Sequence, residues 1–259
     1  DDTAAAAEVV ARLRSAVNRQ MISEVPLGAF LSGGVDSSAI VSQMAELSPH
    51  AVKTCSIAFN DPRFDESRFA QMVADRYATD HSTDRVEPDD FELIDQLGGL
   101  YDEPFADSSS LPTYRVCQLA RNRVTVALSG DAGDENFGGY RRYKWHTYEE
   151  RVRGYLPYAV RAPLFGLAGS LYPKLDWAPR FLRAKSTFQS LARSSLEGYF
   201  HSVSILATEL RGKLYSDSFR RDLQGYDAKQ VFDRFAGRVQ GWDALSTVQY
   251  LDFRTYLPG

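Results

Sequence analysis

The first half of the chain alternates between two hydrophobic periods. Residues Asp2 to Met21 set Val9, Val10, Leu13, Val17 and Met21 at helical spacing. A short apolar run from Val25 to Leu31 follows, ending in small residues, and Ser37 to Leu47 returns to the helical period. Lys53 to Phe59 reads as a buried strand. Asp65 caps a predicted helix whose apolar positions are Phe69, Met72, Val73 and Tyr77. His81 to Val86 has the polar character of an edge strand. Asp89 to Leu100 and Leu111 to Arg121 are helical, and Arg123 to Leu128 is a strand rich in β-branched residues. Strands that alternate with helices imply βαβ units, and so an α/β fold: a parallel sheet with helices on both faces.

Beyond about residue 145 the strand-like runs stop. Aromatic and Arg/Leu-rich helical segments replace them, with breaks expected at Pro157, Pro163, Pro173 and Pro179. Tyr155, Tyr158, Phe165, Tyr172 and Trp177 read as packing residues of this region. The expected organisation is residues 1–145 as the sheet domain and 146–259 as a helical region packed on it.

The chemistry concentrates at two turns. Leu31-Ser32-Gly33-Gly34-Val35-Asp36-Ser37-Ser38 leaves a predicted strand and opens a predicted helix, the junction where parallel sheets bind ligands. Adjacent glycines let the backbone turn tightly and approach an anion, and the next helix aims free N–H groups and its dipole at it. Ser32, Ser37 and Ser38 add hydroxyl donors. No Gly-x-x-x-x-Gly-Lys-Ser/Thr is present, which excludes a Walker loop. Asp36 would repel a phosphate unless a cation bridged the two, and such a carboxylate is a natural Mg²⁺ ligand.

The second turn, Leu128-Ser129-Gly130-Asp131-Ala132-Gly133-Asp134-Glu135-Asn136-Phe137-Gly138-Gly139-Tyr140, sets three acids and four glycines after another strand. Carboxylates this close repel one another unless a metal or a cation compensates. Arg141, Arg142 and Lys144 follow, either as phosphate-reaching cations or as an exposed basic helix start.

Ser-Gly-Gly-x-Asp-Ser-Ser resembles the pyrophosphate loop of the N-type ATP pyrophosphatases. The flank Val25 to Leu31 and the second turn (Leu-Ser-Gly-Glu/Asp-Gly-x-Asp-Glu-x-Phe-Gly-Gly-Tyr) resemble the asparagine synthetase family within that superfamily. The resemblance runs from about Val25 to Tyr143 and returns at Tyr256-Leu257-Pro258. It implies an adenine-nucleotide α-hydrolase-like fold and an ATP site made by Leu31, Ser32, Gly33, Gly34, Asp36, Ser37, Ser38, Phe59, Ser129 and Gly130. Asp36 and Asp134 would hold Mg²⁺. Asp131 takes the place of the family's catalytic acid, with Glu135 beside it in the catalytic set. The implied reaction activates a carboxylate, that of aspartate, as an acyl-adenylate with release of pyrophosphate. Ammonia, supplied from glutamine by a separate glutaminase domain, then forms the amide. The resemblance also allows a homodimer and implies a cytoplasmic location.

The sequence departs from that family in three places. Asp131 stands where asparagine-making relatives carry Glu. Phe105-Ala106-Asp107-Ser108-Ser109 replaces their Thr-Thr-x-Arg-Ala. The sequence also begins without an N-terminal Cys nucleophile and stops before Lys-Val-Asp-Arg, so a cut synthetase region is expected, unable to release glutamate from glutamine. The rival readings are an amide- or lactam-forming ligase of cell-surface or natural-product assembly, an RNA-modifying protein, and a non-catalytic nucleotide-binding module.

Composition changes this picture little. Net charge is −4, split as −11 over residues 1–150 and +7 over 151–259, but the arginines of the second half are scattered rather than clustered, which argues against nucleic acid. No apolar run approaches the roughly 18 residues a membrane span needs. Cys55 and Cys117 each lie in an apolar stretch and read as buried thiols. His50, His81, His146 and His201 form no ligand pair by spacing.

Overall fold

The computed structural model describes residues 1–86, 91–101, 107, 109–175, 177–179 and 183–258, with the backbone alone of Phe91, Glu92 and Glu209. The start of the helix expected from Asp89 lies outside these residues, as do Phe105, Ala106 and Ser108. Two compact units divide the chain, Asp1–Asp131 and Ala132–Gly259.

In unit one, β1 (Leu27–Phe30), β2 (Lys53–Phe59), β3 (Asp80–Val86) and β4 (Val126–Leu128) make a parallel sheet in the order β3-β2-β1-β4. Side chains alternate faces along each strand. Ala29 packs with Val17 of α1 (Asp2–Gln20), Val41 and Met44 of α2 (Val35–Leu47), and Ala70 and Ala74 of α3 (Ser67–Tyr77). Phe30 and Cys55 turn to the other face, against Val116 and Ala120 of α5 (Ser110–Arg121). Helices therefore cover both faces, as the alternating pattern requires. Between β3 and α5, the helix α4 (Phe91–Leu100) buries Leu93 and Leu97. β3 is an edge strand, and its polarity is used: His81 shares hydrogen bonds with the hydroxyls of Thr54, Ser56 and Thr83.

Several local expectations are corrected. The first residue flanking α3 is Glu66, not Asp65, although Asp65 Oδ1 still accepts from the Ser67 and Phe59 N–H groups. Phe69 and Met72 face outward, because the small residues Ala70 and Ala74 form the face of α3 that lies close on the sheet. Only the second half of α1 packs, leaving Val9 and Val10 exposed. Regular β4 pairing begins only at Val126, because Thr125 and Val126 N–H both donate to Pro26 O. Cys55 is buried, but Cys117 is exposed: one helical turn brings Val116 and Ala120 inward and sends Cys117 out.

Unit two is helical among its described residues: α6 (Gly133–Phe137), α7 (Arg141–Tyr155), α8 (Tyr158–Leu171), α9 (Lys185–Leu191), α10 (Ser195–Val203), α11 (Thr208–Leu214), α12 (Asp217–Asp222), α13 (Lys229–Ala236) and α14 (Ala244–Thr255). Its core joins Tyr143, Tyr199, Phe200, Phe232, Val248 and Leu251. Pro157 flanks the start of α8, as expected. Pro163 lies within α8 and does not end it; the helix forgoes one backbone bond and continues. Of the five aromatics read as packing residues, Phe165 and Tyr172 pack on Phe188, whereas Tyr155 and Trp177 are 86% and 83% exposed and Tyr158 is also exposed. Among the described residues no helix is long and apolar enough to cross a membrane.

Candidate functional site

The strand order sets the site. From β1 the chain builds outward to β2 and β3, then returns to place β4 on the other side of β1. The loops after β1 and β4 therefore lie next to one another at the carboxyl edge, where the strand order reverses, the topological switch point at which open α/β sheets bind ligands. Register carries this to the turns: Ala29 lies opposite Leu128, so Ser32 and Ser129 emerge side by side in the fold. The two motifs singled out in the sequence meet here.

The meeting is close. A Cβ added to Gly130 would lie 2.7 Å from Ser37 N and 2.9 Å from Asp36 C, so the second turn rests on the first turn of α2 with no room for a side chain. Gly33 has φ +81°, and a Cβ there would lie 2.5 Å from Ala70 N. Gly33 is required by conformation as well as by position, and Gly130 by position alone. Ser37 Oγ braces the loop, bonding Ser32 N–H at 3.2 Å, Ser32 Oγ at 3.0 Å and Gly34 O at 3.2 Å. Ser37 is therefore a buried strut rather than a free donor, whereas Ser32 is exposed. Ser38 Oγ is buried without a hydrogen-bond partner. α2 starts at Gly34 with no side-chain cap, and Asp36 lies in its first turn. An uncapped helix start, a glycine seat and an orphaned hydroxyl fit a polyphosphate.

Beside this loop, a cavity of about 510 Å³ opens within unit one, lined in part by Leu31, Ser32, Phe59, Ser129 and Asp131. Its volume suits a nucleotide-sized ligand. Leu31 and Phe59 supply apolar surface. Asp131 is exposed, and its Oδ2 accepts from Ser129 Oγ at 2.8 Å while its N–H donates back to the same hydroxyl. Thus Leu31, Ser32, Phe59, Ser129 and Asp131 share one cavity, and Gly33, Gly34, Asp36, Ser37, Ser38 and Gly130 form the adjoining loop and its seat. Ser109 and Glu66 also line the cavity; Glu66 was not foreseen, whereas Ser109 flanks the start of α5 and ends the segment 105–109, whose departure from the family pattern pointed to an altered acid pocket.

The remaining acids belong to unit two. Asp134 stands in the first turn of α6, with its carboxylate packed where a Cβ on Gly139 would sit. Glu135 is not presented to solvent: it is 2% exposed and accepts from Tyr140 Oη at 2.8 Å. Arg142 Cζ lies 3.6 Å from the centre of the Tyr140 ring. Arg142 also donates to Asp252 Oδ2 from Nε at 3.0 Å and Nη2 at 2.7 Å; Tyr143 Oη and Tyr199 Oη complete the donor set around this carboxylate at 2.8 and 2.7 Å. Burial, then the hydrogen bond to Asp252, pushes the Tyr143 hydroxyl well above its usual range. For Tyr199 it is burial and the Asp252 charge, and for Tyr140 burial and Glu135, so all three hold their protons to donate. Burial opposes the charge on Arg142, but Asp252 outweighs it and raises the guanidinium pKa. Asp252 was missed in the sequence. Its signal is a lone carboxylate one turn after Val248 and beside Leu251, on the face of α14 that the apolar residues mark as buried.

Ala132 is a further departure. It adopts φ +67°, a left-handed conformation, where the family pattern of this turn has glycine. As for metal, Asp36 and Asp134 offer the oxygen donors that Mg²⁺ prefers. Among the described residues no group of three or more His, Cys, Asp or Glu is arranged to hold an ion.

Comparison with known proteins adds independent observations. The family model described as asparagine synthase matches residues 8–259. A Methanocaldococcus jannaschii protein named as a glutamine-hydrolysing asparagine synthetase is 48% identical over 130 residues, covering 49% of this chain and 25% of its own length. One from Mycobacterium bovis, similarly named, is 31% identical over 261 residues, covering 100% of this chain and 38% of its own. Asparagine synthetase 1 of Bacillus subtilis is 28% identical over 253 residues, 97% of this chain and 38% of its own. The chain thus spans between a quarter and two fifths of these relatives.

Proposed function

The chain belongs to the asparagine synthase family, and from that membership we propose that it is the synthetase portion of an ATP-dependent, amide-forming ligase. The reaction is attack of a substrate carboxylate, that of aspartate, on the α-phosphorus of ATP. An acyl-adenylate and pyrophosphate result, and ammonia derived from glutamine then displaces AMP. The observation that carries this reading is the seating of Gly130 on the Asp36–Ser37 backbone at the switch point, beside a cavity bearing Asp131.

Each part of the loop has a role in that scheme. The N–H groups at the start of α2, with Ser32 and Ser38, bind the phosphates and stabilise charge on the departing pyrophosphate. Leu31 and Phe59 enclose the adenosine, with Ser129 and Gly130 against it. When bound, Mg²⁺ neutralises the polyphosphate; Asp36 and Asp134 are the residues that would hold it. Asp131, exposed in the cavity and steadied by Ser129, orients the attacking amine or accepts its proton. Glu135, held by Tyr140, supports the acidic turn from within unit two rather than meeting substrate.

The test is product analysis with the intact polypeptide, ATP, Mg²⁺, aspartate and ammonium. Equimolar AMP and pyrophosphate with asparagine are expected; formation of ADP and phosphate would overturn the scheme. A second reading, a ligase for a different acid, draws on Ser109 lining the cavity together with the shorter Asp131. A panel of carboxylic acids scored by pyrophosphate release decides between them, since that reading requires another acid to outperform aspartate.

A further inference from the structure

We propose that unit two carries an oxyanion-binding cavity of its own, which holds a phosphate- or carboxylate-bearing small molecule between Arg141 and Arg183. The cavity measures about 600 Å³ and is built entirely from unit-two residues, in which α7, α9 and α10 all take part. Its size lies within the range of small-molecule sites.

The charge balance of its walls favours an anion. Three guanidiniums and one carboxylate line it. Arg142 is already neutralised by Asp252 at 2.7 Å, and Glu149 is engaged by Arg153 at 3.2 Å and by Ser190 Oγ at 2.5 Å. Arg141 and Arg183 remain. Arg141 lies over the Trp145 ring at 6.0 Å, and Arg183 spends one donor on Ala178 O at 2.7 Å; neither has a carboxylate partner among the described residues. Two guanidiniums without counter-charge, beside an indole wall that lowers the local dielectric, focus a positive potential into the cavity. Their remaining N–H groups keep the fork geometry that matches phosphate and carboxylate oxygens.

Neutral donors complete the lining. Ser186, Thr187 and Ser202 bring hydroxyls. His146, 3% exposed, has its pKa pushed down to about 4 by burial, so it is a neutral ring near pH 7, and its Nδ1 is buried without a partner. The composition is thus cationic and hydroxylic, with no uncompensated acid. It resembles neither an apolar core defect nor a cation site. Nothing in the nucleotide reading uses it.

Trp145 reports on this cavity directly, because it is one of the lining residues, whereas the other two tryptophans, Trp177 and Trp242, are not. Replacing the exposed Trp177 and Trp242 by Phe leaves Trp145 as the single emitter. Inorganic phosphate and, separately, succinate are titrated into the intact protein at constant ionic strength set with chloride. The expected result is a saturable change in Trp145 emission with at least one of them. Stronger response to phosphate assigns a phosphate ester, and stronger response to succinate a carboxylate. Arg183→Ala should raise the half-saturation point at least tenfold without lowering the thermal midpoint, while Ser32→Ala in the other unit leaves it unchanged. The proposal fails if neither probe saturates, if Arg183→Ala has no effect, or if Ser32→Ala removes the response. Should Arg183→Ala not fold, crystals of the unsubstituted protein soaked in selenate decide: an anomalous peak within hydrogen-bond reach of both guanidiniums supports the site, and its absence overturns it.

Discussion

At the scale of single residues, the site depends on places where a side chain is missing and one where it should be. Gly130 has no space for a methyl group, because Ser37 N and Asp36 C occupy it. Gly130→Ala must push the acidic turn off the first turn of α2. The expected result is a fall of more than tenfold in ATP-dependent pyrophosphate exchange with stability reduced by about 1–3 kcal/mol, as overpacking predicts, read by exchange assay and urea unfolding. Ala132 is the opposite case. Its left-handed backbone costs about 1–2 kcal/mol for a residue with a Cβ, and glycine removes that cost while adding about 0.5–1 kcal/mol of unfolded-state entropy. Ala132→Gly is therefore expected to stabilise the protein by up to about 1 kcal/mol; a lower urea midpoint at unchanged slope would show that the conformation is not strained.

At the scale of elements, α14 is tied to α7 and α10 through one carboxylate. Asp252 is 1% exposed and accepts from Arg142, Tyr143 and Tyr199, and Arg142 in turn stacks on the tyrosine that holds Glu135. Removing it leaves a partly buried guanidinium and two buried hydroxyls without that acceptor. Asp252→Ala is expected to lower unfolding free energy by about 3–5 kcal/mol. Asp252→Asn, which keeps one acceptor oxygen, should cost less, and guanidinium unfolding of the two variants checks the order. Tyr140→Phe deletes only the bond to Glu135 and is expected to cost about 1–3 kcal/mol by the same measurement. The elements themselves were largely legible, since periodicity and glycine punctuation are local. The misreadings came where packing overrode pattern: Phe69 and Met72 of α3 turn outward so that Ala70 and Ala74 can lie close to the sheet, and Pro163 stays inside α8.

At the scale of the whole molecule, stability should depend on pH through His146. Its pKa is pushed down to about 4, chiefly by burial, from an ordinary value near 6.5. Between these values the unfolded chain binds the proton and the folded chain does not, so stability rises with pH across that window. Acidification from pH 7 to 4 is therefore expected to remove up to about 3 kcal/mol through this group, with no further loss from it below pH 4. The lowered carboxylates Asp61, Asp65, Glu197 and Asp243 lose their contributions as pH falls from their ordinary values through their depressed ones, beginning where the His146 window ends. Urea unfolding at stepped pH measures the slope, and His146→Gln should flatten it above pH 4; an unchanged slope would mean that the ring is already charged in the fold. What the sequence determined alone was everything carried by contiguous residues: the alternation of strands and helices, the two glycine-rich turns, and the donor and acid types within them. The tertiary structure alone decided the strand order β3-β2-β1-β4, and with it the seating of Gly130 on α2, the burial of Asp252 against residues about a hundred positions away, and the gathering of Arg141 and Arg183 around one cavity. Hydrophobic period and turn chemistry act within a few residues, whereas these arrangements depend on which distant surfaces exclude water from one another, and that is settled only when the chain has closed on itself.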